Sequence, residues 1–367
     1  MAIASTASHS SSVSVAAPRA VAELLGQAIR LQASDIHIEP TAQGYETKYR
    51  VDGLLQLAGE YDVETGRAMV GRLMVLAQLL TYRLDVPQEG RLSYLPEGRS
   101  LSPMELRLAI MPTTHGLRAA IRMPAELIAP SGLDQLRLSG PVLEGLKRFA
   151  RIDSGMLILT GPAGSGKTTT IYALLRHIAT ACPGLSIVAL EDPVERDIPG
   201  VTQIEVKPFG ELTYERAMRS ILRQDPQVLM LGEIRDAATA SLALQAALSG
   251  HRLICTLHAS DPAGAISRLV EMGMEPYQIT SALYAVVAQR LLRRRIESGY
   301  RGRIPVAEFV SGDEALKRAI LARADADALR QVYLKQAGYA PMRQVADEYA
   351  ASGVTDAAEV DRALGYV

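Results

Sequence analysis

The sequence predicts an α/β protein: a small α+β N-terminal domain, then a parallel-sheet domain closed by a helical C-terminal subdomain. Three observations carry this. Residues 35–51 alternate apolar and polar, the period of half-buried strands. From about residue 141 the rhythm becomes buried strand, helix, buried strand, helix, which calls for a parallel sheet covered on both faces. A glycine-rich loop also joins one of those strands to a helix.

Taken in order, residues 1–17 are small and polar without periodicity and read as a disordered tail. Residues 18–123 form the first domain. Val21, Leu24, Leu25, Ala28 and Ile29 share one face at helical spacing. Ile36 and Ile38 alternate with Asp35, His37 and Glu39. Asp52-Gly53 marks a hairpin turn, a helix follows over roughly 67–80, and strands are expected at 105–110 and 117–123. Residues 124–140, with Pro124, Pro130, Gly132, Gly140 and Pro141 in or beside them, read as a linker. Residues 141–295 hold the second domain, with strands at 156–160, 186–190, 228–231 and 253–256. The stretch 296–367 reads as helical.

The chain has 367 residues, 48% hydrophobic and 22% charged, which is ample for two cores. A net charge of −1 argues against bulk nucleic-acid binding. Two distant cysteines, Cys182 and Cys255, fit neither a disulfide framework nor a zinc site, so a reducing compartment is expected. No basic start precedes an apolar run, and no stretch nears the ~18 apolar residues of a spanning helix, so a soluble protein is expected.

The most specific local pattern is Gly161, Pro162, Ala163, Gly164, Ser165, Gly166, Lys167 and Thr168, with Thr169 next. It fits a phosphate-binding loop at every required position. Glycines let backbone N–H groups approach phosphate oxygens at a helix N-terminus. Lys167 supplies a full charge to the β and γ phosphates, and Thr168 a hydroxyl for magnesium. The implied ligands are ATP and Mg2+. The apolar strand 228–231 leads through Gly232 to Glu233, where a parallel sheet presents its functional edge. Glu233 can hold magnesium or polarise the attacking water. Glu191, straight after the strand 186–190, can orient that water; the bland alternative is a solvated acidic turn set by Pro193. His251 and His258 flank the strand 253–256, where a lone histidine is more often structural. Arg50, Arg107, Arg118 and Arg122 lie on strands of the first domain, and an inserted guanidinium is what a γ-phosphate transition state calls for.

Together these motifs resemble the secretion ATPases that power type II secretion and type IV pili, over roughly residues 20–367. The resemblance rests on Ala33-Ser-Asp-Ile-His-Ile-Glu-Pro40, Tyr49-Arg50-Val-Asp-Gly53, Pro87-Gln-Glu-Gly-Arg91, Leu106-Arg107 with Met111-Pro-Thr-Thr-His-Gly116, and Glu191 to Glu195. It also rests on Leu222-Arg-Gln-Asp-Pro226, Gly232-Glu-Ile-Arg-Asp236, Gly250-His251 with Thr256-Leu-His258, and Gln289-Arg290-Leu291. It implies a RecA-like phosphate-loop domain, Mg-dependent ATP hydrolysis, and a cytoplasmic homo-hexamer peripheral to the inner membrane. Nucleotide would bind between the two domains, and domain rotations would drive an inner-membrane platform protein. It adds weight to Glu191, His251 and His258, and it nominates Arg107, Arg122 and Arg50 to complete an ATP site.

Two features depart from the export and assembly branch. No cysteines follow Gln289-Arg290-Leu291, where its four-cysteine zinc site stands, and the long N-terminal docking domain of many export motors is not expected here. The retraction branch is therefore the alternative for the direction of work. A nucleic-acid motor of the same core fold would want a basic, aromatic-lined track; aromatics are 5%, with no Trp. A nucleotide-binding subunit without turnover would tolerate loss of Lys167, and the intact loop and acids argue against it.

Overall fold

The computed structural model describes residues 7–95, 103–124, 132–207 and 210–365, in two compact units that divide at Ala129 and Pro130.

The first unit is a six-stranded antiparallel sheet with two helices on one face. The helices are α1 (Ala7–Leu31) and α2 (Val63–Leu76); the strands are β1 (Asp35–Pro40), β2 (Tyr45–Val51), β3 (Leu54–Tyr61), β4 (Gln88–Tyr94), β5 (Met104–Thr113) and β6 (Gly116–Arg122). Their order is β3-β2-β1-β6-β5-β4. The alternation seen in the sequence holds: Ile36 and Ile38 point into a core with Tyr49, Leu106, Leu108, Ile121 and the apolar faces of α1 and α2. The Asp52-Gly53 turn has both residues at positive φ, as a tight two-residue hairpin requires. Asp62 caps α2, its carboxylate accepting the Thr65 N–H at 2.8 Å.

Three expectations need correction here. The tail expected to be disordered is helical from Ala7; its alanines favour helix, and it continues directly into the face that packs on the sheet. Residues 1–6 lie outside the described ones. The helix expected at 67–80 runs from Val63 to Leu76, since the Asp62 cap starts it earlier. The stretch after Pro87, given no element from the sequence, forms a strand, β4, at the sheet edge.

The second unit holds a seven-stranded sheet ordered β13-β12-β7-β11-β10-β8-β9. Its strands are β7 (Gly155–Thr160), β8 (Ile187–Glu191), β9 (Thr202–Glu205), β10 (Val228–Leu231), β11 (Arg252–Leu257), β12 (Leu283–Ile296) and β13 (Gly299–Ser311). All neighbours run parallel except β12 and β13. Successive residues of β7 feed opposite cores. Leu157 and Leu159 pack with α3 (Gly140–Phe149) and α4 (Lys167–Ala181). Met156 and Ile158 pack on the other side, with α5 (Tyr214–Ile221), α6 (Ala237–Leu248), α7 (Pro262–Glu271) and α8 (Pro276–Ala282). This is why the strands read as continuous apolar runs. Each fully buried leucine here contributes about 2 kcal/mol relative to exposure.

The linker expectation fails in part. Residues 125–131 lie outside the described ones, but Leu133–Leu136 forms a 3-10 turn whose Leu133 and Leu136 are buried in the second unit's core. The reading of 296–367 as mostly helical misses a strand at its start. Residues 283–311 make a long β-hairpin that extends the sheet, and helices take over only at α9 (Glu314–Leu321), followed by α10 (Ala326–Tyr333), α11 (Met342–Ala351) and α12 (Ala357–Leu364). The arginines at 293–295 masked the strand, because its far end projects beyond the sheet and is solvated.

Candidate active site

The C-terminal ends of β7, β8, β10 and β11 open on a cleft of about 210 Å³. This is the edge where parallel sheets present their ligand sites. Segments leaving β7, β10 and β8 build its walls, with β11 between the first two.

The first wall is the phosphate loop between β7 and α4. Gly161 has φ +142°, and an added Cβ there would meet the Gln289 carbonyl oxygen at 2.5 Å. Gly166, the residue before α4, has φ +88°, and its Cβ would meet Gln289 Nε2 at 2.8 Å. Both positions therefore need glycine. Lys167 Nζ donates to the carbonyls of Gly161 at 2.7 Å and Pro162 at 2.9 Å, which keeps the ammonium at the rim of the loop. Burial pushes its pKa down; Glu233 pulls it up and Arg290 pushes it down again. Ala163, Gly164, Lys167 and Thr168 line the cleft, with Thr168 exposed. Gly161, Pro162, Ser165, Gly166 and Thr169 shape the loop and the helix start rather than the cleft wall.

The second wall is the end of β10. Gly232 N–H donates to the Leu190 carbonyl at 2.8 Å, the Thr256 hydroxyl donates to the Gly232 carbonyl at 2.6 Å, and Ile234 N–H donates to the Thr256 carbonyl at 2.9 Å. These bonds fix the corner that carries Glu233. Its carboxylate lies 3.0 Å from His258 Nε2 and accepts from Arg235 Nε at 2.7 Å; Arg235 also reaches Asp192 at 3.6 Å. The chain before His258 is held by Thr160, whose hydroxyl lies 2.9 Å from the carbonyls of Leu257 and Ala259 and accepts the Ala259 N–H at 3.0 Å.

The third wall is the acidic stretch after β8. Glu191 lines the cleft yet is only 3% exposed. Its carboxylate accepts from the Tyr172 hydroxyl and, at 2.9 Å, from Gln203 Nε2. Burial pushes its pKa up, the Gln203 and Tyr172 hydrogen bonds draw it back, and Glu195 adds to the rise.

Of the residues expected from the sequence, Lys167, Thr168, Glu191, Glu233 and His258 thus meet in one cleft. His251 does not. It sits before the first residue of β11, at the opposite end of the strand from His258. Its Nδ1 lies 2.8 Å from the Ala246 carbonyl near the end of α6, which also accepts the Ser249 and His251 N–H groups at 3.2 and 3.3 Å. Arg50, Arg107 and Arg122 belong to the first unit. Cross-strand register sets Arg50, Asp35, Arg122, Arg107 and Arg91 in one row. Asp35 holds Arg50 at 3.2 Å and Arg122 at 3.4 Å.

Thr160, Tyr172, Gln203 and Arg235 were not foreseen as parts of the site. Thr160 was legible in principle, as a hydroxyl closing an apolar strand. Tyr172 and Gln203 were not, since nothing local distinguishes them from core and surface residues. A hydroxyl at Thr168 and a carboxylate at Glu233 on one cleft are hard oxygen donors of the kind that suit magnesium.

A family profile described as "Type II/IV secretion system protein" matches residues 13–362. Type II secretion system protein HxcR of Pseudomonas aeruginosa is 39% identical over 365 residues, covering 94% of this chain and 76% of that protein. Type II secretion system protein E of Xanthomonas campestris is 33% identical, with 86% of this chain and 62% of that protein covered. Type IV pilus assembly ATPase PilB of Thermus thermophilus is also 33% identical, with 94% of this chain but 42% of that protein covered. The chain therefore spans less than two thirds of several relatives. Among solved structures, the pilus retraction motor PilT with bound ADP superposes with TM-score 0.64 at 25% identity, covering 93% of this chain and 96% of that one. The Legionella pneumophila ATPase DotB superposes with TM-score 0.77 at 22% identity over 94% of this chain and 95% of that one, a likeness of fold.

Proposed function

Since this chain belongs to the type II/IV secretion system protein family, we propose that it is a Mg-dependent ATPase that powers type II secretion or type IV pilus assembly. The observation that carries the reading is the meeting of Lys167, Thr168, Glu191, Glu233 and His258 at one sheet edge. The loop amides and Lys167 bind the phosphates. Thr168 and Glu233 would hold magnesium, which would supply positive charge to offset the charge of the phosphates. Glu191 orients the attacking water and accepts its proton; His258 and Arg235 hold the Glu233 carboxylate at its two oxygens. The proposal extends to a homo-hexamer that works peripherally on an inner-membrane platform from the cytoplasm. Among the described residues no helix is long and apolar enough to cross a membrane.

The test is steady-state turnover with magnesium, with mass in solution recorded alongside. Lys167→Ala and Glu233→Gln are expected to cut kcat by about 100-fold or more, the scale of losing one charge-stabilising group. A variant at either position that keeps full turnover sinks the proposal. Similarity to HxcR at 39% favours secretion or assembly. The match to PilT over 96% of its length keeps retraction as the second reading.

A further inference from the structure

Helix α4 starts at the phosphate loop, and its first turns point mostly apolar side chains into the core. Tyr172 lies among them, its side chain buried with Ile171, Leu174 and Leu175. A phenylalanine would serve that packing equally well. A buried hydroxyl is costly unless it finds partners, and this one finds two. It donates to Glu191 Oε2 and accepts the Glu195 N–H at 3.1 Å. The guanidinium of Arg196 lies over its ring, 5.5 Å from the centroid. The other carboxylate oxygen is held from β9: Gln203 Nε2 donates to Glu191 Oε1 and to the Arg196 carbonyl, both at 2.9 Å, while its Oε1 accepts the Ile198 N–H at 2.7 Å.

Both oxygens of the cleft-lining Glu191 are therefore aimed by neutral donors. One donor is rooted in the helix that carries Lys167 and Thr168. The same hydroxyl ties down the acidic stretch behind Glu191. We infer that Tyr172, with Gln203 as its counterpart, is a positioning residue for hydrolysis, holding Glu191 in register with the phosphate loop. The inference rests on the ATPase reading above and deepens it. Tyr172 does not touch substrate; it acts through Glu191. Its loss should therefore appear in the rate of the chemical step, with nucleotide binding spared.

The experiment compares wild type, Tyr172→Phe, Gln203→Leu, Glu191→Gln and the double variant Tyr172→Phe/Glu191→Gln. Each is assayed for ADP binding and for ATP hydrolysis, including single-turnover rates. Tyr172→Phe should lower kcat by about 10-fold or more while KM and ADP affinity stay within about twofold. Gln203→Leu should act in the same direction. In the Glu191→Gln background, removing the hydroxyl should change the rate less than about twofold, because coupled residues are not additive. A kcat for Tyr172→Phe that equals or exceeds wild type overturns the inference. So does full additivity with Glu191→Gln, or a parallel loss of ADP binding. A wild-type protein without turnover, indistinguishable from Lys167→Ala, is a different result and defeats the ATPase reading itself.

Discussion

Gln289 is 1% exposed, and its amide is fully committed: Nε2 donates to the Ser165 carbonyl and Oε1 accepts from the Thr170 hydroxyl, both at 2.8 Å. It thereby braces the phosphate loop on one side and the first turn of α4 on the other. Replacement by leucine keeps the volume but strands a carbonyl and a hydroxyl, at about 1–3 kcal/mol for each buried orphan. The strain falls on the loop, so KM for ATP should rise by about 10-fold with a smaller change in kcat. Steady-state kinetics and nucleotide titration check this, and the split is opposite to the one expected at Tyr172. At this scale the sequence was informative only where chemistry follows a local pattern. Lys167 and Thr168 were legible from spacing, and Glu233 from an acid closing an apolar strand. Gln289 and Tyr172 meet their partners across 119 and 19 residues of chain, and no spacing announces that. His251 shows the converse: its type and neighbourhood suggested chemistry, and its place at the wrong end of β11 makes it a helix-end partner.

At the scale of elements, α12 is pinned to β12 by one carboxylate. Glu359 has no side-chain exposure and accepts from Arg293 N–H at 2.8 Å, Arg293 Nη2 at 2.7 Å and Arg362 Nε and Nη2 at 2.6 Å. Burial raises its pKa, but the Arg362 and Arg293 guanidiniums and the Arg293 N–H outweigh that and take it down to about 2 from 4.5. A carboxylate depressed in the fold stabilises above its unfolded pKa and loses that contribution as pH falls through the folded one. The linkage amounts to about 3 kcal/mol, present at neutral pH and lost progressively from about pH 4.5 to about pH 2. Glu359→Gln should lower stability by a similar amount at pH 7 and flatten the acid limb of a stability–pH curve. Denaturant unfolding across that range, with hydrogen exchange of α12, measures both effects. An unchanged acid limb would show that the arginines do not stabilise the charged form.

For the whole molecule, the proposed ring makes turnover a property of assembly. Specific activity should rise with protein concentration until the six-subunit mass dominates, and a flat profile over the monomer range would remove the ring from the mechanism. The arginine row of the first unit enters the same test. Arg107→Ala and Arg122→Ala should each lower kcat by about 10-fold or more with the fold intact, as loss of a cation acting on a phosphoryl transition state would. Arg122 shares Asp35 with Arg50, so circular dichroism and melting should accompany its assay to separate a loosened sheet from lost chemistry.

The sequence by itself determined the two-unit plan, the parallel core and the phosphate loop. Each is written in short-range periodicity: period two in the first unit, apolar runs in the buried strands, glycines where backbone must approach a ligand. It also placed, to within a residue, the four strand ends that surround the cleft. Only the tertiary structure decided the rest. Strand β12 runs on through Arg293 as a hairpin because pairing with β13 outweighs a polar local composition. The second half of the expected linker folds into the core, where Leu133 and Leu136 are buried. That Gln203 meets Glu191 depends on β9 pairing beside β8, and strand order is a long-range packing outcome that no local pattern carries.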